Sequence, residues 1–560
     1  MSDDSPHIDR NALAPTPAPD LTQGRSALSR RRVLTTSCGL IGAGTLGTWG
    51  TGPAHATANV PTASATSAAA TAAGYDELYR PQLHFSPARN WMNDPNGLLY
   101  HDGTYHLFFQ YNPDGDTWGN MSWGHAVSKD LTHWRELDVA LLHDDTEMIF
   151  SGSAVFDHDN TSGLGTADNP PLVAIYTSHL KDGSGQRQSL AFSTDGGRSW
   201  AKYDGNPVLD IASANFRDPK VFWHAPTSRW VMVLALSTAY KVQLYSSPDL
   251  KEWTHLSDFG PTGATGGIWE CPDLFELPVD GGGSRWVLIV NLNPGGPAGG
   301  SAGQYFLGDF DGTTFTADTG GPDVRWLDHG ADFYAGVTYN DVPGGRRVLV
   351  AWMNNWQYGE RIPTQPWRSA MSFPRELALT SAPVEDGGAV LVQRPVAELA
   401  ALRGRPLARL DGKDVAAGST PTLVRDTGLC YEVEAELSAA GGAQRFGLEV
   451  RVGNGHRTRV GYDMDSGELY VDRTASGVIA FHDDFPGVHR APLSLPEGGR
   501  LQLHILVDAS SVEVFAQDGR VCLTDQIFPG SDDTALQAFA DGGAARIEHL
   551  EVRELRSVWR

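Results

Sequence analysis

The chain has 560 residues, 43 Lys and Arg against 67 Asp and Glu, and a formal net charge of −24. That length exceeds one ordinary hydrophobic core, so two folded domains are expected, and the charge disfavours nucleic acid, anionic lipid and acidic polymers as partners while leaving a neutral polysaccharide open. With 41% hydrophobic and 20% charged residues, 63 Gly and 16 Trp, the composition suits a turn-rich β protein with aromatic surfaces better than a helical bundle.

Residues 1–56 read as a targeting segment. Arg30-Arg31-Arg32 precedes a mild apolar run from Cys38 to Trp49, and Ala54-His55-Ala56 offers small residues for cleavage after Ala56. The pattern is that of a twin-arginine export signal. The run is too short and too rich in Gly and Thr for a transmembrane anchor, so a secreted protein with no membrane attachment after cleavage is expected. Residues 57–74, mostly Ala, Thr and Ser, cannot bury a core and are expected to form a disordered tether. The cysteines beyond the signal are Cys271, Cys430 and Cys522. They suggest no zinc site or disulfide scaffold, although Cys430 and Cys522 share one proposed domain and leave a single bridge open.

A short pattern then recurs. Ser128-Lys129-Asp130-Leu131-Thr132-His133-Trp134, Ser193-Thr194-Asp195-Gly196-Gly197-Arg198-Ser199-Trp200 and Ser247-Pro248-Asp249-Leu250-Lys251-Glu252-Trp253 are three copies, and Phe310-Asp311-Gly312-Thr313-Thr314-Phe315 is a degraded fourth. Their aromatic ends stand 66, 53 and 62 residues apart, and each copy follows a stretch that reads as a strand. That length fits a four-stranded antiparallel blade. Four copies and a closing blade from about residue 334 to 380 predict a five-bladed β-propeller over residues 75–385. A connector follows at 386–403, containing a short helical stretch at Val396–Leu402. Alternating runs such as Tyr431–Leu437, Phe446–Val450 and Leu501–Ile505 predict a β-sandwich over 404–560. The expected fold is all-β.

Three acids sit in rigid local settings: Asp94 in Trp91-Met92-Asn93-Asp94-Pro95, Asp218 in Phe216-Arg217-Asp218-Pro219, and Glu270 in Trp269-Glu270-Cys271-Pro272. Proline holds its own and its neighbour's backbone at low entropy cost. In a propeller, inner strands converge on one funnel, so acids this far apart in sequence can meet. Glycoside cleavage needs such a set: a carboxylate to attack the anomeric carbon and a protonated acid for the leaving oxygen. Asp94 suits the nucleophile, with the Asn93 amide at hand. Glu270, between Trp269 and Cys271, suits an acid raised by desolvation. Asp218, beside the permanent charge of Arg217, is expected to stay ionised. Taken singly, each segment reads more readily as a structural Asp-Pro turn.

Together these segments resemble the signature motifs of glycoside hydrolase family 32, the invertases, inulinases and levanases. Phe109-Gln110-Tyr111, Trp118-Gly119, Trp123-Gly124-His125, Phe150-Ser151-Gly152-Ser153, Asn355-Trp356-Gln357-Tyr358 and Asp508-Ala509-Ser510-Ser511-Val512-Glu513-Val514-Phe515 match as well, from about His84 to the C-terminus. The resemblance implies retaining hydrolysis of a β-fructofuranoside. Asp94 would be the nucleophile, Asp218 the transition-state stabiliser and Glu270 the acid/base. Asn93, Gln110, Trp118, Phe150, Ser151, Arg217 and Trp356 would line a terminal-fructose pocket, with Asp332 and Tyr334 as weaker members. It implies no metal and no organic cofactor; the scattered His84, His106 and His125 read as structural. Ala351–Met371 resembles exo-acting fructanases more than invertases, so release of fructose from levan or inulin ends is expected. Endo cleavage, release of levanbiose, transfer to a fructosyl acceptor, inverting arabinanase-type chemistry and a non-catalytic sugar-binding propeller are the competing readings.

Overall fold

The computed structural model describes residues 74–319, 324–382 and 388–559. The export segment and nearly all of the tether lie outside the described residues. The described chain is all-β: five sheets, antiparallel but for one short parallel strand on the first, followed by two six-stranded sheets.

The first sheet is built on Asn90–His101, Thr104–Asn112, Ser122–Ser128 and Trp134–Leu141, and Trp367–Arg368 joins its inner edge in parallel. The next three begin with inner strands Glu147–Phe156, Phe216–His224 and Ile268–Pro278. The fifth runs Tyr334–Thr338, Arg347–Met353, Arg375–Ser381 and Ala389–Pro395. Its last strand falls in the stretch expected to be connector. No turn motif of the recurring kind announces it, and it is identified only by pairing with Arg375–Ser381 from Arg375↔Pro395 to Ser381↔Ala389.

The sequence repeat is a hydrogen-bonded turn. Asp130 Oδ1 accepts the backbone N–H of Thr132 and His133, at 3.0 and 2.8 Å, and Trp134 Nε1 donates to Leu131 O at 3.0 Å. The same geometry recurs at Asp249 with Trp253 and Leu250, and at Asp195 with Trp200 and Gly197. Leu131, Gly197 and Leu250 hold φ of 64°, 81° and 64°, the left-handed bend that lets each indole fold back on its own turn. At Asp311 the carboxylate still caps Thr313 and Thr314, with Phe315 in place of the indole.

The inner strands are tied to one another by side chains. Asn96 Oδ1 accepts from Gly152 N at 3.0 Å, Ser153 Oγ from Val221 N at 2.9 Å, Asp218 Oδ2 from Cys271 N at 3.0 Å, and Asp273 Oδ2 from Thr338 N at 2.7 Å. Asn340 closes the ring. Its backbone exchanges hydrogen bonds with Leu98 O and Tyr100 N, and its amide donates to Ala154 O and Val221 O.

Beyond the short 3-10 turn Ala397–Leu402, two six-stranded sheets enclose a core that includes Tyr431, Phe446, Leu469 and Ile505. Cys430 and Cys522 are buried free thiols; they form no bridge. The segment Asp508–Phe515 fastens this sandwich to the propeller. Asp508 accepts from the backbone of Gln82 and Leu83 and from His84 Nδ1, the last at 2.7 Å. Glu513 meets His84 Nε2 at 2.8 Å, Phe373 N at 2.8 Å and Arg375 Nη2 at 2.5 Å. Burial alone would lower the His84 pKa, but the two carboxylates outweigh it and raise it to about 9. Burial would raise the pKa of Glu513, but Arg375 and His84 hold it down at about 2.

The sign follows from linkage. His84 is raised, so its contribution is whole below about 6.5, its unfolded value, and is lost as pH rises through about 9. Glu513 is lowered, so its contribution is lost only as pH falls toward 2. His84→Gln is therefore expected to cost about 3 kcal/mol at pH 6, the scale of breaking a buried ion pair, and to flatten the alkaline fall of melting temperature. Thermal unfolding of both proteins from pH 5 to 10 checks this; parallel curves would refute it.

Candidate active site

Each inner strand breaks register near the same level: between Met92 and Pro95, Phe150 and Gly152, Arg217 and Lys220, Glu270 and Asp273, and Tyr334 and Val337. A bulge bends its strand and re-aims a side chain. Proline has no N–H to give to a ladder, so Pro95, Pro219 and Pro272 fit these irregular positions. Asp218 and Cys271 hold φ of 65° and 44°, strained for residues with a Cβ.

The result is one cleft of about 500 Å³ lined by Asn93, Asp94, Gln110, Trp118, Phe150, Ser151, Arg217, Asp218, Glu270 and Trp356. The three acids and the seven principal pocket residues named from the sequence all line it, the weaker candidates Asp332 and Tyr334 do not, and its wall draws on all five blades. Ser151 Oγ donates to Asp94 Oδ2 at 2.7 Å, and Asn93 Nδ2 to Asp94 Oδ1 at 3.1 Å. Trp91 Nε1 in turn fixes Asn93 Oδ1 at 2.8 Å. Gln110 is anchored on Ile149 O. Trp118 stands at the rim, edge-on to Phe150, and Trp356 rests on Trp352 and Trp91.

Cys271, which the sequence reading treated only as a neighbour, links two of the acids. Its N–H donates to Asp218 and its thiol lies 3.6 Å from Asp94 Oδ2. Tyr334 OH donates to Glu270 Oε2. Trp269 turns away into the wall between the third and fourth blades, its indole on Ala264 O. Asp332 is not in the cleft. It is buried against the sandwich, holding Arg473 Nη1 at 2.6 Å and Tyr358 OH at 2.8 Å. The family resemblance had made it a weaker candidate for the pocket, but its ion-pair partner Arg473 lies 141 residues away in the sandwich.

The electrostatics also differ from expectation. Arg217 Nε lies 3.0 Å from Glu270 Oε1 and 4.0 Å from Asp218 Oδ2, so the guanidinium serves Glu270 first. Burial pushes Asp218 up to about 7; Arg217 opposes this, and the charges of Glu270 and Asp94 add to it. Burial, then Glu270, also raises Asp94. Three carboxylates thus share a desolvated cleft with one cation, and burial makes Asp218 and Asp94 both hold a proton more tightly than a free carboxyl does.

Comparison with known proteins bears on this arrangement. Residues 84–395 match the "Glycosyl hydrolases family 32 N-terminal domain" and residues 398–554 the "Glycosyl hydrolases family 32 C terminal". The chain is 48% identical over 500 residues to a levanase of Bacillus subtilis (strain 168), covering 88% of this chain and 72% of that protein. It is 46% identical over 520 residues to an extracellular exo-inulinase of Aspergillus awamori, covering 87% and 96%. The crystal structure of exo-inulinase from Aspergillus awamori superposes with a TM-score of 0.82 at 44% identity, over 87% of this chain and all (100%) of that one. A β-fructofuranosidase from Schwanniomyces occidentalis complexed with fructosyl-erythritol gives 0.77 at 34%, over 86% and 98%.

Asp218 is raised in the folded state, so folding is favoured by its protonation, and that advantage is lost as pH rises from about 4 through about 7. Asp218→Asn removes the buried charge while its amide oxygen still accepts from Cys271 N. It should leave stability nearly unchanged at pH 4 and raise it by about 1 kcal/mol or more at pH 8. Urea unfolding at the two pH values measures this; a destabilised variant at pH 8 would contradict the charge assignment.

Proposed function

The chain belongs to glycosyl hydrolase family 32, and from that membership we propose that it is a secreted β-fructofuranosidase releasing fructose from the ends of a β-fructan. The observation that carries this reading is the single cleft into which Asp94, Asp218 and Glu270 all project. Walls drawn from all five blades surround it, which suits a chain end better than a polymer threading through. The relatives named levanase and exo-inulinase favour the same exo-acting substrate class.

In the mechanism we infer, Asp94 attacks the anomeric carbon of the terminal fructose, oriented by Ser151 and Asn93. Glu270 gives a proton to the departing glycosidic oxygen. The covalent fructosyl–Asp94 ester is then hydrolysed by a water that Glu270 deprotonates, so configuration is retained. Asp218 accepts fructose hydroxyls and opposes the positive charge developing on the ring. Arg217 Nε and Tyr334 OH both donate to Glu270 and hold its carboxyl in place for these proton transfers. The chain's own residues supply every role.

Secretion accords with the extracellular relatives in Aspergillus, and we assign export to the twin-arginine pattern at Arg30-Arg31-Arg32. Among the described residues no helix is long and apolar enough to cross a membrane.

Asp94→Asn and Glu270→Gln should each lower turnover on fructan by roughly 10³-fold or more with the fold intact. Near-normal rates in either would remove that residue from its role. Chromatography of early products from levan, inulin and sucrose tests the rest: fructose alone supports exo hydrolysis. A ladder, a disaccharide or an elongated acceptor would instead indicate endo, levanbiose-releasing or transfer chemistry.

A further inference from the structure

The inner strand that carries Asp218 ends five residues later in Trp223 and then His224, about 17 Å farther along at ~3.3 Å per residue. On that opposite face lie two adjoining recesses of about 1150 and 830 Å³, whose walls share Phe156, Trp223, Trp230 and Asp341. Trp223 is 40% exposed. It faces Trp230 across its hairpin, the rings edge to face at 5.1 Å. The fourth blade adds the half-buried Trp286, paired across its own ladder with Glu276. Trp223 leaves much of its ring in water, which packing of a core does not require.

The rim of the larger recess is polar. Glu276 and Asp341 are exposed carboxylates, and Arg347 is the one cation in its lining. Arg347 is already committed to Tyr339 O and to the face of Phe275. Aromatic faces offer flat contact to the C–H face of a sugar ring, and carboxylates accept from its hydroxyls. The same carboxylates, on a chain of net charge −24, oppose phosphates and acidic polymers. A neutral, donor-rich polyol several units long satisfies all three conditions.

We propose that this recess is a second sugar-binding site, remote from the acids, that holds an internal segment of the β-fructan substrate. The inference rests on the fructan reading above. Its effect is one of effective concentration: an enzyme held on the polymer meets chain ends more often than one in free solution. Short substrates cannot engage both places and gain nothing.

Affinity electrophoresis separates this site from the cleft. The Asp94→Asn protein, run through gels containing levan or inulin, is expected to be retarded. Adding Trp223→Ala and Trp286→Ala should abolish most of that retardation. In the otherwise wild-type enzyme the two tryptophan substitutions should raise KM on polymer about three-fold or more, with kcat and KM on a fructosyl trisaccharide unchanged. If the double variant does not fold, Trp223→Gln alone serves, since its ring is already exposed. Equal retardation with and without the tryptophans overturns the proposal. So does an equal loss on the trisaccharide, or a dimer that the substitutions split into monomers, which would make this face an interface between copies. Failure of the fructanase reading shows separately, as a wild-type enzyme that releases no fructose from either polymer.

Discussion

Apart from the short pairing of Asn90 and Trp91 with Trp367–Arg368 and the bridge at Asn340, the inner edges of the five sheets have no strand beside them to complete their ladders, and side chains stand in for it. Buried backbone donors must be paired, and here Asn96, Ser153, Asp218 and Asp273 each accept an N–H from the next blade's inner strand. The same substitution of side chains for a strand lets the edges open into a funnel instead of zipping shut. Asp218 is therefore both a member of the ring and a member of the cleft. The strained φ at Asp218 and Cys271 is held by this double duty.

The ring also sets the electrostatics. Bringing three acids to one level of the axis buries them together, and one guanidinium cannot satisfy all of them. Burial outweighs Arg217 at Asp218, which rises to about 7. A charged, desolvated cluster of this kind is unfavourable for folding and useful for binding a substrate whose ring becomes positive in the transition state. The surrounding fold compensates elsewhere. His84 and Arg375, both fully buried, join the propeller to Asp508 and Glu513 of the sandwich, and Arg473 does the same with Asp332 and Tyr358. These ion pairs keep partners on every charge, the condition under which buried charges are tolerated.

The two faces of the propeller divide the aromatic residues between them. Trp91 and Trp352 pack behind the cleft and support Asn93 and the wall residue Trp356. Trp223, Trp230 and Trp286 gather at the other end, where no acid cluster needs support. That separation is a consequence of strand length: an inner strand of nine residues, Phe216–His224, reaches from one face to the other.

Turn chemistry is local, and so the blades were legible from residues alone: an Asp caps N–H groups two to four positions ahead of it whatever the rest of the chain does. The three acids and the seven residues around them were legible because Pro after Asp94, Asp218 and Cys271 marks the bulges, and because the surrounding segments resemble a known family. What the sequence could not determine was every feature set by partners distant along the chain. Arg217 stands next to Asp218 in sequence yet turns to Glu270, 53 residues on. Asp332 sits two residues from Tyr334 yet serves Arg473. The strand Ala389–Pro395 is recognised only by its neighbour, and the protonation of Asp218 depends on how much water the closed ring excludes. Covalent spacing fixes turns and the identity of functional groups; which charges share a dry cavity is decided only when the chain closes on itself.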